Sequence, residues 1–156
     1  MPNSVEEAVQ ALLLADDDAY DNPSSLAALG LSRFPADDGD LAVFVQDPVP
    51  GEAQRPYVAI SGPMSAAPFD TKTRIGAEWM LDIGVYCDNT GSVTQINALA
   101  DRIFRLLRYT GQSALEIDGF SVVLCRVSWP IEAPTDETLV GRIIMLQVTA
   151  TANEEI

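Results

Sequence analysis

The sequence contains no histidine among its 156 residues and only one lysine, Lys72. Histidine is the commonest general base in enzymes and the commonest metal ligand in proteins. Its absence excludes catalytic triads that are built on an imidazole. The sequence also has no G-x-S-x-G, no glycine-rich phosphate loop and no H-E-x-x-H motif. Nothing in it therefore favours an enzyme, and we predict neither a cofactor nor a metal site.

Basic residues are scarce as well: 9 of them face 23 acids, for a net charge of −14. Binding to nucleic acid by counterion release needs a basic surface. A chain of this charge is expected to repel duplex DNA, which argues against a DNA-binding regulator. No apolar run approaches the roughly 20 residues that cross a bilayer. The opening "MPNSVEEAVQ" lacks the basic start of a secretory signal.

Cysteine is limited to Cys87 and Cys125, both inside predicted strands, and no C-x-x-C pair exists. Without a secretion signal, we expect two buried thiols rather than a disulfide. Acids cluster at residues 16–18 and 37–40. The second cluster lacks the alternation and the later glutamate of an EF-hand, so we interpret it as a solvated acidic loop.

Two main helices are predicted. Residues 4–17 begin with a capping box, Ser4 and Glu7, and continue with one apolar stripe. Residues 92–108 show the same signals more strongly, and Gly111 is expected to end that helix. A third, short helix over 24–30 is weaker. The predicted strands are residues 41–46, 57–61, 77–87, 120–129 and 139–151.

Loops rather than helices connect most of these strands. This order predicts an α+β fold, a mostly antiparallel sheet of about five strands with both helices on one face. The length fits a single domain over 1–156, with a polar tail at 152–156. Residues 62–76 have no clean period, so they are either a flexible loop or the tip of an extended hairpin.

The strand "EWMLDIGVYCD" raises the question of what covers its second face. Its odd positions from Trp79 to Cys87 are apolar and should face the helices. Its even positions include Met80, Asp82 and Tyr86. Together with Phe120, Leu124, Ile143 and Met145, they indicate an apolar patch that the helices do not cover. Such a patch is typical of an interface with another copy or a partner; the long segment 62–76 is the alternative cover.

Charged residues leave several interpretations open. Asp82 faces either solvent or the arginine of a neighbour. Arg102, Arg105 and Arg108 near the end of the second helix suit its dipole and either bind an anion or pair with acids, including those of a neighbouring subunit. Asp70, Lys72 and Arg74 alternate in the segment 62–76. A catalytic lysine is possible there in principle, but a solvated or docking surface is the commoner use of such a loop.

The order of elements resembles a known family. The strings that carry the likeness are "EEAVQALLLAD", "PYVAIS", "EWMLDIGVYC", "ALADRIFRLLR" and "RVSWPIEAPTDETLVGRIIMLQVTAT". They are similar to the tail-completion or tail-terminator proteins of long-tailed (siphovirus-like) bacteriophages and phage-like gene transfer agents. The likeness spans nearly the whole chain. The sequence departs from it in the long 62–76 segment and the extra acids at 37–40.

The resemblance implies a structural, non-enzymatic virion protein without a cofactor. It implies a homohexameric ring at the head-proximal end of the tail, which ends tail-tube polymerisation and meets the head-completion (stopper) protein. Packaged DNA would pass through the ring without specific binding, and assembly would take place in the host bacterial cytoplasm. We place the subunit interface at Met80, Asp82, Tyr86, Arg102, Arg105 and Arg108, and a tail-tube or connector docking loop at Phe69, Asp70, Lys72 and Arg74. The alternatives are another connector ring, such as the stopper or a tail-tube subunit, and, less favoured, a soluble ligand-binding module or enzyme.

Overall fold

The chain folds as one main sheet with two helices on one of its faces. The computed structural model describes residues 4–18, 22–34, 39–45, 51, 53–65, 69–70, 74–90, 93–117, 119–133 and 137–155. Within these ranges the helices are α1 (Val5–Leu14) and α2 (Thr94–Ala114). The strands are β1 (Arg33–Phe34), β2 (Asp40–Leu41), β3 (Val43–Phe44), β4 (Tyr57–Ser65), β5 (Phe69–Asp70), β6 (Arg74–Asp88), β7 (Phe120–Val127), β8 (Ile131–Glu132) and β9 (Leu139–Glu155).

The main sheet has the strand order β3-β4-β6-β9-β7, with short β5 on β6 and short β8 on β9. Only the contact of β3 with β4 is parallel; the other described pairings in this sheet are antiparallel. Strands β1 and β2 form a separate small hairpin sheet. The predicted α+β fold with a mostly antiparallel sheet is confirmed, because loops can join neighbouring antiparallel strands without crossover helices.

The centre of the sheet is the long β6–β9 ribbon. Its register runs from Asp88 opposite Leu139 to Arg74 opposite Glu155. Strand β4 pairs along β6 as far as Ser65 opposite Trp79, with an irregularity between Ser61 and Met64. Residues 66–68 and 71–73 of the expected loop or hairpin lie outside the described residues, as does Lys72.

One face of the sheet, the inner face, meets the helices and forms the core. Alternation along β6 and β9 places their apolar residues there in register, for example Ile83 opposite Ile144. Both are fully buried. The predicted inward face of β6 is confirmed, although Trp79 at its end is only half-buried. The strand residues of this core are Val43, Val58, Ile60, Leu81, Ile83, Val85, Cys87, Val140, Ile144, Leu146 and Val148.

Helix α1 begins as predicted and is joined to α2 at its end. The Ser4 hydroxyl accepts a hydrogen bond from the Glu7 amide at 3.3 Å. Beyond Leu14, Asp16 does not lie in a frayed, solvated end. Its carboxylate accepts two hydrogen bonds from Arg102 of α2, at 2.7 and 2.9 Å, and one from the Leu26 amide at 2.8 Å.

Helix α2 runs further than its glycine signal indicated. It passes through Gly111 and ends at Ala114, because the packing of its apolar stripe outweighs the low helix propensity of one glycine. The expected cap, Ser92, lies outside the described residues. Val93, assigned to the stripe, precedes the helix and is 46% exposed. The stripe that does pack in the core comprises Ile96, Leu99, Ala100, Ile103, Phe104 and Leu107.

The expected third helix over 24–30 is a series of turns instead. Ser25 is fully buried; its hydroxyl donates to the Asp18 carbonyl at 2.6 Å and accepts from the Ala28 amide at 3.1 Å. Gly30 closes the segment with φ +96°, a left-handed conformation that glycine adopts at little cost. Local side-chain hydrogen bonds of this kind compete with helix formation.

Strand β7 departs most from its predicted face. We expected Ser121, Val123 and Cys125 to face inward together. An irregularity between Val122 and Leu124 instead leaves Val123 out of the register and 50% exposed. A bulge of this kind shifts the alternation by one residue. Phe120, expected on the uncovered face, therefore packs inward on Trp79, with ring centroids 5.1 Å apart.

Both thiols are free and belong to the inner face. Burial raises the pKa of Cys87 to about 11, with a smaller contribution from Asp88. Burial alone raises the pKa of Cys125 to about 11. Neither thiol is ionised near neutral pH. No helix in the described part of the chain is long and apolar enough to span a membrane.

Candidate assembly surfaces

The face of the sheet opposite the helices, here called the outer face, keeps large apolar side chains in solvent. Met80 is 42% exposed and Met145 is 41% exposed. Ile131, on the neighbouring strand β8, is 49% exposed and lies opposite Ile143. Contiguous exposed apolar residues of this type mark interaction surfaces more often than isolated ones do.

A shallow groove of about 270 Å³ lies between Met80 and Met145. Gln147, the register partner of Met80, and Ser128 contribute polar atoms to it. The Ser128 hydroxyl accepts a hydrogen bond from the Met145 amide at 3.0 Å. Methionine side chains adapt to irregular partners, so the groove suits a protein surface better than a rigid small ligand.

Tyr86, also predicted at the interface, is partly covered by its own chain. Its ring lies over two glycines, Gly84 on the same strand and Gly141 directly opposite. A Cβ at Gly84 would come within 2.7 Å of the ring, and one at Gly141 within 2.9 Å. The ring also approaches Tyr57, with centroids 5.6 Å apart. Tyr86 is therefore half-buried, and its role in the fold is larger than that of Met80.

Asp82 is exposed on the outer face, opposite Ser61 on one side and Met145 on the other. Among the described residues, no cation lies within ion-pair distance of its carboxylate. The predicted pairing of Asp82 with the arginine of a neighbour stays a prediction.

Two of the three predicted interface arginines are paired within the chain. Arg102 bonds Asp16, and this pair raises the pKa of the Arg102 guanidinium. Arg105 pairs with Asp101 one helical turn earlier at 2.8 Å, with both side chains largely exposed. The partners of both arginines are acids of the same subunit, so neither needs a neighbouring subunit to balance its charge.

Arg108 is different, because its guanidinium stacks on aromatic rings. It lies 5.9 Å from the centre of the Phe104 ring and 6.0 Å from that of Tyr109. Phe104 also stacks on Trp129, with centroids 4.4 Å apart and an angle of 18° between the rings. Trp129 and Tyr109 are each 69% exposed. Neither aromatic residue is among the interface residues predicted from the sequence.

Of the predicted docking loop, the structure describes the backbone of Phe69, Asp70 and Arg74, while Lys72 lies outside the described residues. Phe69 pairs with Gly76 and Asp70 with Ile75, so β5 folds back on the start of β6. Arg74 lies opposite Glu155 near the end of β9. The backbone thus places Phe69, Asp70 and Arg74 together at one end of the sheet.

The side chains of these surfaces are suited to contact with a macromolecule. Within the part of the chain that the structure describes, no three side chains among His, Cys, Asp and Glu gather as metal ligands would. The outer face offers apolar side chains, single charges and amide groups. These groups provide contact area and specificity for a macromolecular partner.

Comparison with solved structures shows a clear similarity in fold. No protein-family model matches the sequence. No curated protein matches it either. A chain in a solved structure titled "Virion of native gene transfer agent (GTA) particle" superposes with a TM-score of 0.68 at 18% sequence identity. The match covers 96% of each chain. The two chains share a fold.

Proposed function

We propose that this chain is a structural subunit of a phage-like virion, and that its place is the neck, as the terminator of the tail. The observation that carries the proposal is the fold shared over 96% of both chains with a component of a gene transfer agent virion. The sequence resemblance to tail-terminator proteins points independently in the same direction. The proposed form is a homohexameric ring that stops tail-tube polymerisation and binds the head-completion protein.

The outer face supports a role in assembly. Met80 and Met145 expose apolar area that the fold of the single chain leaves uncovered. Exposed apolar patches of this kind mark interaction surfaces. Asp82 beside them supplies a charge that fixes the register of a partner. In the proposed ring, contacts between neighbouring subunits cover part of this face.

The charge of the chain supports a conduit for DNA. Each cationic contact with a phosphate adds to affinity, so a basic lumen would retain the duplex. A chain with a net charge of −14 presents the opposite potential. The duplex would therefore pass the ring without specific binding. Assembly is proposed in the bacterial cytoplasm, with the neck of the virion as the final location.

Electron microscopy of particles made without this protein tests the proposal. Free heads beside tails of uncontrolled length are expected, and supplying the intact chain in trans should restore joined particles. Tails of normal length that fail to join heads would assign the chain to the head-completion stopper instead. Missing tubes would assign it to the tube, and normal virions would refute a structural role.

The tail-tube contact has its own test. Phe69, Asp70, Lys72 and Arg74 are proposed to reach the tube, because the strand pairings of Phe69, Asp70 and Arg74 lie at one end of the sheet. Deleting 63–74 is expected to abolish docking on tubes. Normal docking and normal tail length in the deletion variant would contradict this placement. The circular-dichroism spectrum and melting curve of the variant control for folding.

A further inference from the structure

Two arginines have no acidic partner among the residues that the structure describes. Among the arginines whose side chains the structure describes, Arg142 bonds an amide and a carbonyl oxygen, and four others form ion pairs. Arg108 and Arg126 are the remaining two. In a chain with far more acids than bases, two cations without an acidic partner in the described residues are unexpected.

These two arginines line the same groove. The groove has a volume of about 480 Å³ and lies over the edge of β7, between Arg108, Tyr109, Cys125, Arg126 and Val127. Arg126 comes from the outer face of the strand, opposite Gln147, whereas Arg108 comes from the helix side. Two positive charges from the two sides of the sheet therefore converge at one edge.

Aromatic side chains surround these charges. Tyr109 and Trp129 are each 69% exposed, and Trp129 stacks on Phe104, which also lies under Arg108. Tryptophan, tyrosine and arginine are the residue types that contribute most binding energy at protein interfaces. The combination favours a protein partner that carries carboxylates. We use the name β7 groove for this groove, with Arg108, Tyr109 and Arg126 in its lining, together with the adjacent rings of Phe104 and Trp129.

The opposite edge of the sheet carries the complementary charge. There β3 lies beside α1, whose Gln10 amide donates to the Val43 carbonyl at 2.8 Å. Acids from the β1–β2 hairpin and the end of α1 surround one cation, Arg33. Asp17 forms an ion pair with Arg33 and raises the pKa of its guanidinium, and the nearby charge of Asp40 raises it further. The acids of this edge, here called the acidic edge, are Asp17, Asp18 and Asp40.

The two edges of one copy do not reach each other. Four strand-to-strand steps separate them along the path β3-β4-β6-β9-β7, so the edges are roughly 19 Å apart at about 4.8 Å per step. A second copy has no such restriction. Two different, complementary patches on opposite sides of a subunit produce a head-to-tail contact, the type of contact that closes into rings.

We propose that the β7 groove of one copy binds the acidic edge of a second copy of this chain. Closure of this contact into a ring rests on the proposed function. The contact itself needs only two copies of the chain. Arg108 and Arg126 supply charge-assisted hydrogen bonds to the carboxylates, and the exposed rings of Tyr109 and Trp129 supply contact area. The contact should weaken as salt concentration rises, since it joins opposite charges near the surface.

Two variants separate the halves of this contact. The groove variant is R108E/R126E, and the edge variant is D18K/D40K. The wild-type chain should self-associate at low ionic strength in sedimentation-velocity experiments. Each variant alone should associate at least about tenfold more weakly. An equimolar mixture should recover association between the two variants, because the intact groove of the edge variant meets the intact edge of the groove variant and the two reversed surfaces again carry opposite charges.

The control variant is R55E/R142E, which changes the net charge by the same amount as the groove variant. Both control arginines are partly exposed, and both lie outside the β7 groove and the predicted subunit interface. The control should self-associate within about threefold of the wild type. Thermal melts check that all variants fold, and R108Q/R126Q replaces the groove variant if charge reversal prevents folding.

Several results would overturn the proposal. One is a wild-type chain that stays monomeric at millimolar concentration and low ionic strength. Another is a groove variant that self-associates like the wild type, or a mixture that forms no heterodimer. A groove variant that keeps self-association but loses binding to duplex DNA would assign the groove to nucleic acid. Pairing in solution together with normal virions in the absence of the chain would refute the proposed function and leave this contact standing.

Discussion

The inner and outer faces of the sheet are formed by the same strands but differ in what covers them. Along β6, Ile83 on the inner face is fully buried, while Met80 on the outer face is 42% exposed. The inner face is covered by the helices and explains why the chain folds. The outer face contributes less to folding and leaves apolar area available to a partner. The difference separates residues that maintain the monomer from residues that are free to serve assembly.

Shortening an inner-face residue should have the largest effect on stability. Ile83→Ala removes a fully buried side chain at the centre of the sheet, opposite Ile144 and Ile60. We expect a loss of about 3 kcal/mol in the free energy of unfolding, from lost burial and the cavity left behind. Urea denaturation measures it. A loss below about 1 kcal/mol would mean that the inner face is not the main core.

Breaking the link between the two covering helices should have the next largest effect. Asp16→Ala leaves the partly buried Arg102 guanidinium without its acceptor and the Leu26 amide without its hydrogen bond. We expect a loss of about 2 kcal/mol in the free energy of unfolding. Asp101→Ala is the control, because it removes an exposed i, i+4 pair and should change stability very little. Equal effects of the two substitutions would contradict the structural role of the Asp16–Arg102 pair.

Filling the glycine positions under Tyr86 tests whether the outer face has a structural part. Gly84→Ala places a Cβ 2.7 Å from the Tyr86 ring and must displace it. We expect a loss of about 1 kcal/mol in the free energy of unfolding. In a Tyr86→Ala background the same change should cost nothing, since the ring is gone. A cycle of the four proteins measures this coupling, and equal losses in both backgrounds would refute the contact.

Substitution of the exposed methionines should have the smallest effect on stability. Met80→Ser with Met145→Ser is expected to change the free energy of unfolding by less than about 0.5 kcal/mol. The same pair of changes should reduce assembly on tails, measured by sedimentation of tail fractions. A variant that unfolds instead would show that its own chain buries this surface, and the contrast between the two faces would be lost.

Alternation made the inner face largely predictable. The odd positions of β6 follow period two, and the Ser4–Glu7 cap of α1 depends on residues close in sequence. Local signals failed where packing decided the outcome. Helix α2 continues through Gly111 because its stripe packs on the sheet, and the irregularity at Val123 exchanges the faces of β7.

The candidate surfaces were predictable only in part. Met80 followed from alternation alone. The partner of Arg102 is Asp16, 86 residues away, and no spacing rule connects them. Alternation from Cys125 and Val127 gives the face of Arg126, but the β7 groove also depends on α2 lying across β7, so no sequence signal joined Arg126 to Arg108. A comparison of arginines with nearby acids could find such groups only once the fold was known.

The β6–β9 ribbon also determines how the molecule responds to mechanical force. Its register extends from Asp88 opposite Leu139 to Arg74 opposite Glu155, a length of roughly 50 Å for fifteen residues. Tension along these strands loads many backbone hydrogen bonds in shear at once. The two-residue strand β3 can instead be peeled from β4 one bond at a time. Under load, the subunit should therefore yield first at the β3 edge, while the ribbon transmits the force intact.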